Sequence, residues 1–137
     1  MGREVFDSFA GFDDFLVYLG VSLAYLAVFV AIYIRITPYR EMQLIREGNM
    51  AASFALSGAI LGFIVPLASA VQHSVSLIDM AIWGLIAMAV QIAAYVVVKL
   101  CIPSLTRDIP ENKGAQGFFL GSLSLGVGLL NAACMSY

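Results

Sequence analysis

Six positions put polar atoms where the surrounding sequence offers only hydrocarbon: Ser57, Gly62, Pro66, Gln91, Ser122 and Asn131. Pro66 belongs with them because it has no amide, which frees the carbonyl of Gly62 four residues earlier. Neutral oxygens of this kind can replace part of the hydration shell of an ion or small solute. The same groups can equally hydrogen-bond helix to helix, so path and interhelical contact both stand as readings. Glu41 and Asn49 lie outside the apolar stretches. Asn49 precedes Met50-Ala51-Ala52, an N-cap position from which its side-chain oxygen can accept an amide of Ala51 or Ala52. The connector Thr37–Gly48 interleaves Arg40, Glu41, Arg46 and Glu47, which suits a headgroup surface or a protein partner.

Other chemistry is not encoded. The sequence has no nucleophile elbow, glycine-rich phosphate loop, metal-spaced His cluster or buried carboxylate pair, so neither a catalytic role nor a metal or cofactor is expected. No Asp, Glu, Lys or Arg falls well inside an apolar stretch, which argues against a proton-coupled carrier. The net charge of −2, without a basic run, argues against nucleic acid. His73 stands in a loop in this reading and forms no motif. Cys101 and Cys134 fit no zinc or redox spacing, and the topology below keeps them on opposite sides of a membrane.

The elements that must position these residues are four apolar stretches, Phe15–Ile34, Met50–Val71, Met80–Val98 and Ala115–Met135. Each matches the roughly 20 residues, at about 1.5 Å apiece, that cross a bilayer as a helix. With 61% apolar and 12% charged residues, the 137-residue chain is expected to be a single all-α membrane domain, residues 1–137. The first stretch reads as a retained helix: the leader sets Glu4, Asp7, Asp13 and Asp14 against Arg3, unlike a secretory signal.

Six of the seven basic residues lie in or beside two connectors: Arg35, Arg40 and Arg46, then Lys99, Arg107 and Lys113. Lysine and arginine concentrate on the cytoplasmic side, so both connectors should be cytoplasmic and both termini outside. Sliding the chain by 65 residues aligns Asp14 with Asp79, Tyr18 with Trp83, Pro38 with Pro103, Phe54 with Phe119, Ser57 with Ser122 and Pro66 with Asn131. That register describes a parallel duplication of a two-helix hairpin, residues 8–72 and 73–137, about an axis along the membrane normal. The paired aspartates suit helix N-termini, Tyr18 and Trp83 suit the headgroup level, and the prolines end helices.

Stretches one and three are bulky. Stretch two carries Ala51, Ala55, Gly58, Gly62, Pro66 and Ser69, and stretch four Gly117, Gly121, Ser124, Gly128 and Asn131, at helical spacing. In lipid, small residues let backbones approach, so stretches two and four should form the interior and support a homo-oligomer.

The string Ile36-Thr37-Pro38, Glu41, Leu44-Ile45, Asn49, Ala51-Ala52-Ser53, Ser57-Gly58, Leu61-Gly62 and Pro66-Leu67 resembles the YjfL-type bacterial inner-membrane family, domain of unknown function 350. Trp83-Gly84, Gln91, Pro103, Gly117 and Asn131-Ala132-Ala133-Cys134-Met135 extend the resemblance over nearly the whole chain. It implies a multi-pass inner-membrane protein of unestablished activity, and an association with envelope-stress proteins. The second half has no equivalent of Glu41 or Asn49, so any role of that pair belongs to the first half. The expected function is a small oligomeric channel or transporter-like assembly. The alternative is a non-conducting component that recruits or senses an envelope-stress partner.

Overall fold

The computed structural model describes residues 11–135 together with Gly2, Val5 and Phe9; Arg3, Glu4 and Asp7 of the leader lie outside the described residues. The described part is all-helical: α1 (Phe12–Ile36), α2 (Glu41–Arg46), α3 (Met50–His73), α4 (Leu77–Cys101), α5 (Leu105–Asp108) and α6 (Gly114–Cys134). Four of these, α1, α3, α4 and α6, are long and apolar enough to span a membrane. They overrun the apolar stretches by a few residues at most ends, because capping residues lie outside the hydrocarbon run. Ser76 and Asp79 show how: Ser76 Oγ accepts from Asp79 N at 3.1 Å, and Asp79 Oδ2 accepts from Val75 N at 3.2 Å. This reciprocal pair closes the start of α4 as a capping box does. At the other end, α1 and α4 both stop just before a proline, at Thr37-Pro38 and Ile102-Pro103. The short helices α2 and α5 were not expected from the sequence; each sits in a basic connector. The end of the molecule that carries both connectors is called the basic end below.

The packing of α3 on α6 dominates the fold. The two helices run parallel and meet backbone to backbone, with Gly117 on Ala51, Gly121 on Phe54 and Gly58, and Gly128 on Gly62. A β-carbon at Gly58, Gly62, Gly117, Gly121 or Gly128 would overlap main-chain atoms of the facing helix. Phe54 and Phe118 close one rim edge-on, centroids 5.8 Å apart at 89°. The partner of Phe54 is therefore the neighbour of its sequence counterpart Phe119, a one-residue offset between the halves.

The expected interior holds for α3 and only in part for α6. α3 has eleven buried residues, whereas α6 exposes Phe118, Phe119, Leu129 and Leu130. α4 packs on both α3 and α6, while α1 packs on α3 and α4. Two devices hold α1. Toward the far end, Gly84 leaves a notch for the Tyr25 ring, whose hydroxyl donates to Ala81 O at 2.7 Å. Toward the basic end, Phe29 stacks on Phe63 at 4.6 Å and Tyr33 meets Tyr95 edge-on at 5.1 Å.

Leucine at Gly62 or Gly121 should destabilise the protein by about 3 kcal/mol or more, since backbone cannot yield as a side chain does. Ala27→Leu, on an exposed position of α1, should stay within about 0.5 kcal/mol. Thermal melts in detergent rank the three; equal midpoints would contradict the contact.

Candidate functional site

The polar residues singled out by the sequence separate into three places. The first is buried between helices. Gln91 of α4 donates from Nε2 to Ser124 O of α6 at 2.8 Å, beside Gly62 of α3. Gln91 therefore ties three helices together at mid-depth. Its Oε1 and the Nδ2 of Asn131 are buried without a hydrogen-bond partner. The carbonyl of Gly62, freed by Pro66, abuts Gly128, and Pro66 itself is fully buried. A carbonyl in that position is occupied by helix contact, of the kind that Cα–H donors stabilise. Gln91, Gly62 and Pro66 are thus buried in contacts between helices.

The second place faces outward. Ser57 and Ser122 lie on opposite walls of one open groove between α3 and α6, floored by Gly58 and Gly121 and flanked by Phe54, Leu61, Phe118 and Leu125. Both serines are exposed. The small residues that let the helices touch also leave this groove. Ser57 is seven residues past Met50 and Ser122 eight past Gly114, so each hydroxyl stands roughly 10 Å along its helix from the basic end.

The third place is the basic end, where the connectors fold back on the helices. Asn49 caps α3: its Oδ1 accepts from Ala52 N at 2.8 Å. Its Nδ2 donates to Ile109 O at 3.0 Å and Pro110 O at 3.2 Å, which pins the other connector to the same helix end. Asn112, at φ 60°, adds its Oδ1 as acceptor for Ala51 N at 3.2 Å. Asparagine is among the few residues that adopt a left-handed conformation readily, a signal that the sequence reading passed over. Lys113 pairs with Asp108 at 3.3 Å and Glu111 at 3.6 Å.

Glu41 opens α2 and is turned inward, 1% exposed. One carboxyl oxygen accepts from the Thr37 hydroxyl; the other, Oε2, is buried without a partner, as is Tyr33 Oη. The hydroxyls of Tyr33, Tyr39 and Tyr95 lie within its electrostatic reach. Burial pushes the Glu41 carboxyl up to about 7, with the Thr37 hydroxyl pulling the other way, and burial pushes the Tyr39 hydroxyl up as well. Ion pairs among the described residues involve Lys113 alone as the cation, so Glu41 has no counter-charge there.

The sequence therefore anticipated the cap that Asn49 makes, but not its hold on the other connector nor the burial of Glu41. A surface role for the connector fits the exposed Arg40, Met42, Gln43 and Arg46, while Glu41 and Asn49 are spent inside the protomer. Thr37, Tyr33, Tyr39 and Tyr95 were missed because tyrosine near a span end ordinarily reads as an interfacial anchor.

The profile described as Domain of Unknown Function (DUF350) matches residues 7–135. The chain belongs to that family. The UPF0719 inner membrane protein YjfL of Escherichia coli (strain K12) is 39% identical over 134 residues, 98% of this chain and 99% of that protein. The protein of the same name from Escherichia coli O157:H7 matches to the same degree. The UPF0719 transmembrane protein YshE of Bacillus subtilis (strain 168) is 28% identical over 122 residues, 85% of this chain and 88% of that protein. No solved structure matches. The helices and the family agree on a multi-pass membrane protein whose relatives are named for the inner membrane.

Replacing Asn49 separates its two jobs. Asn49→Ala should cost about 1–2 kcal/mol through the lost cap. Asn49→Asp keeps the cap but turns an acid oxygen on the carbonyls of Ile109 and Pro110, and should melt no higher than Asn49→Ala. Melting curves of the three proteins at neutral pH check the order.

Proposed function

We propose that the protein is a subunit of a small homo-oligomer in the bacterial inner membrane that passes ions or small solutes between copies, not through one protomer. The observation that carries this reading is the outward-facing, exposed pair Ser57 and Ser122, which share one groove. Hydrocarbon offers a hydroxyl nothing to bond, so each is better placed facing water or another copy than acyl chains. The closed contact between α3 and α6 argues in the same direction, since it leaves no room for a path along the protomer's own axis. In this reading the basic connectors lie in the cytoplasm, both termini lie outside, and the two hairpins are copies of one unit. The work is passive and involves no catalysis or cofactor.

A non-conducting role, recruiting or sensing an envelope-stress partner, draws its support from the exposed Arg40, Met42, Gln43 and Arg46 on and beside α2. Those exposed side chains can meet a protein or anionic headgroups.

Proteoliposome flux separates the two. Under the path reading, wild-type protein passes ions or small solutes above the protein-free background. Ser57→Val with Ser122→Val then cuts flux by about tenfold or more while oligomer mass is retained, because a dry constriction replaces a wetted one. Background flux from wild-type protein, or full flux from the double variant, would reject the path, and the first result would favour the partner role.

A further inference from the structure

Two acids are buried among the described residues, Asp108 and Glu41. Asp108 has Lys113 at 3.3 Å. Glu41 has no cation within ion-pair distance among the described residues; Lys99, one turn beyond Tyr95 on α4, forms no ion pair with it. α1 brings Tyr33, the following connector brings Thr37 and Tyr39, and α4 brings Tyr95. α3, on which α2 packs, carries only His73 as a titratable side chain, at its far end. The nearby guanidinium groups, Arg35, Arg40 and Arg46, are all exposed. Acid and bases in this short segment are thus sorted, carboxyl inward and guanidinium outward.

A carboxylate removed from water without a cation is costly, whereas its protonated form costs far less to bury. The hydrogen-bond pattern fits the neutral acid. Oε1 is already taken by the Thr37 hydroxyl, and Oε2, the oxygen left to carry a proton, shares the interior with the unpartnered Tyr33 Oη. A recess lined by Ile34, Thr37, Tyr39, Glu41, Gln43 and Arg46 opens this cluster to the outside at the basic end. Arg40 and Arg46 at its mouth oppose entry of a metal cation; a proton arrives through water and leaves no charge behind.

We propose that Glu41, with Thr37, Tyr33, Tyr39 and Tyr95, forms a proton-binding site in exchange with the aqueous phase at the basic end of the molecule. The step is plain acid–base: the carboxylate takes one proton from water and becomes the neutral acid, with no other bond changed. Occupancy sets the packing of the segment, because loss of the proton puts an unpaired charge under α2 and favours states in which water reaches it. The inference is independent of conduction and stands on the geometry of the basic end alone.

Burial raises the carboxyl in the folded protein to about 7, so the fold holds this proton more tightly than the unfolded chain does. The stabilisation it brings is complete at low pH and is lost as pH rises through about 7.

Infrared difference spectroscopy of the full chain in lipid reads the proton directly. The expected result is a carboxylic acid carbonyl band that disappears with a midpoint near 7 and is missing from Glu41→Gln. Should Glu41→Gln fail to assemble, Tyr33→Phe carries the test: a drier surround should move the midpoint up by about half a pH unit. A carboxylic acid band already gone by about pH 5, the same titrating band in Glu41→Gln, or an unmoved midpoint in Tyr33→Phe would overturn the proposal.

Discussion

The backbone-to-backbone contact of α3 with α6 is the constraint on which the rest depends. In hydrocarbon the burial of apolar area no longer draws helices together, and what remains is close packing of main chains. Ala51, Gly58 and Gly62 on one side and Gly117, Gly121 and Gly128 on the other supply it. Three consequences follow from geometry. The protomer's axis is closed. Gln91 is drawn down onto Ser124 beside Gly62, so its polarity is spent inside. The outer edges of the same small-residue seam become a groove in which Ser57 and Ser122 stand open.

The basic end shows a second kind of order. Parallel α3 and α6 both begin there, so their first amides need acceptors on the same side of the molecule. Asn49 and Asn112 satisfy two amides of α3, and Asn49 also holds the connector that leads into α6. One connector is thus a brace on the other's helix. The remaining polar groups are divided: Arg40 and Arg46 stay in water while Glu41 is folded under α2 against the tyrosines. That division makes the segment responsive to protons, since only one of its charges has been taken from solvent.

Much of this was legible in the residues. Span-length apolar runs, caps at Asn49 and Asp79, and glycine and alanine at three- and four-residue steps are local signals, and the helices, the caps and the α3–α6 seam follow from them. The burial of Glu41 was not legible, because it depends on Pro38 ending α1 and on a connector that folds back onto α3, a tertiary event with no periodic signature. For the same reason α2 and α5 escaped notice: at six and four residues they are held by packing, not by propensity. Gln91 and Asn131 looked alike as polar residues in apolar runs. Only the rotation of α4 and α6 about their axes distinguishes Gln91, which is bonded across helices, from Asn131, whose amide nitrogen is buried without a partner.

Under the proposed reading, four spans of this kind serve an assembly and do not themselves enclose a pore. The central claim is that the groove of Ser57 and Ser122 faces other copies and water, and not lipid tails. A high-resolution structure of the native assembly in a lipid nanodisc tests it most directly. The account predicts several copies with both hydroxyls on a hydrated interface between them. A single copy, or an assembly in which ordered acyl chains fill that groove, would contradict it.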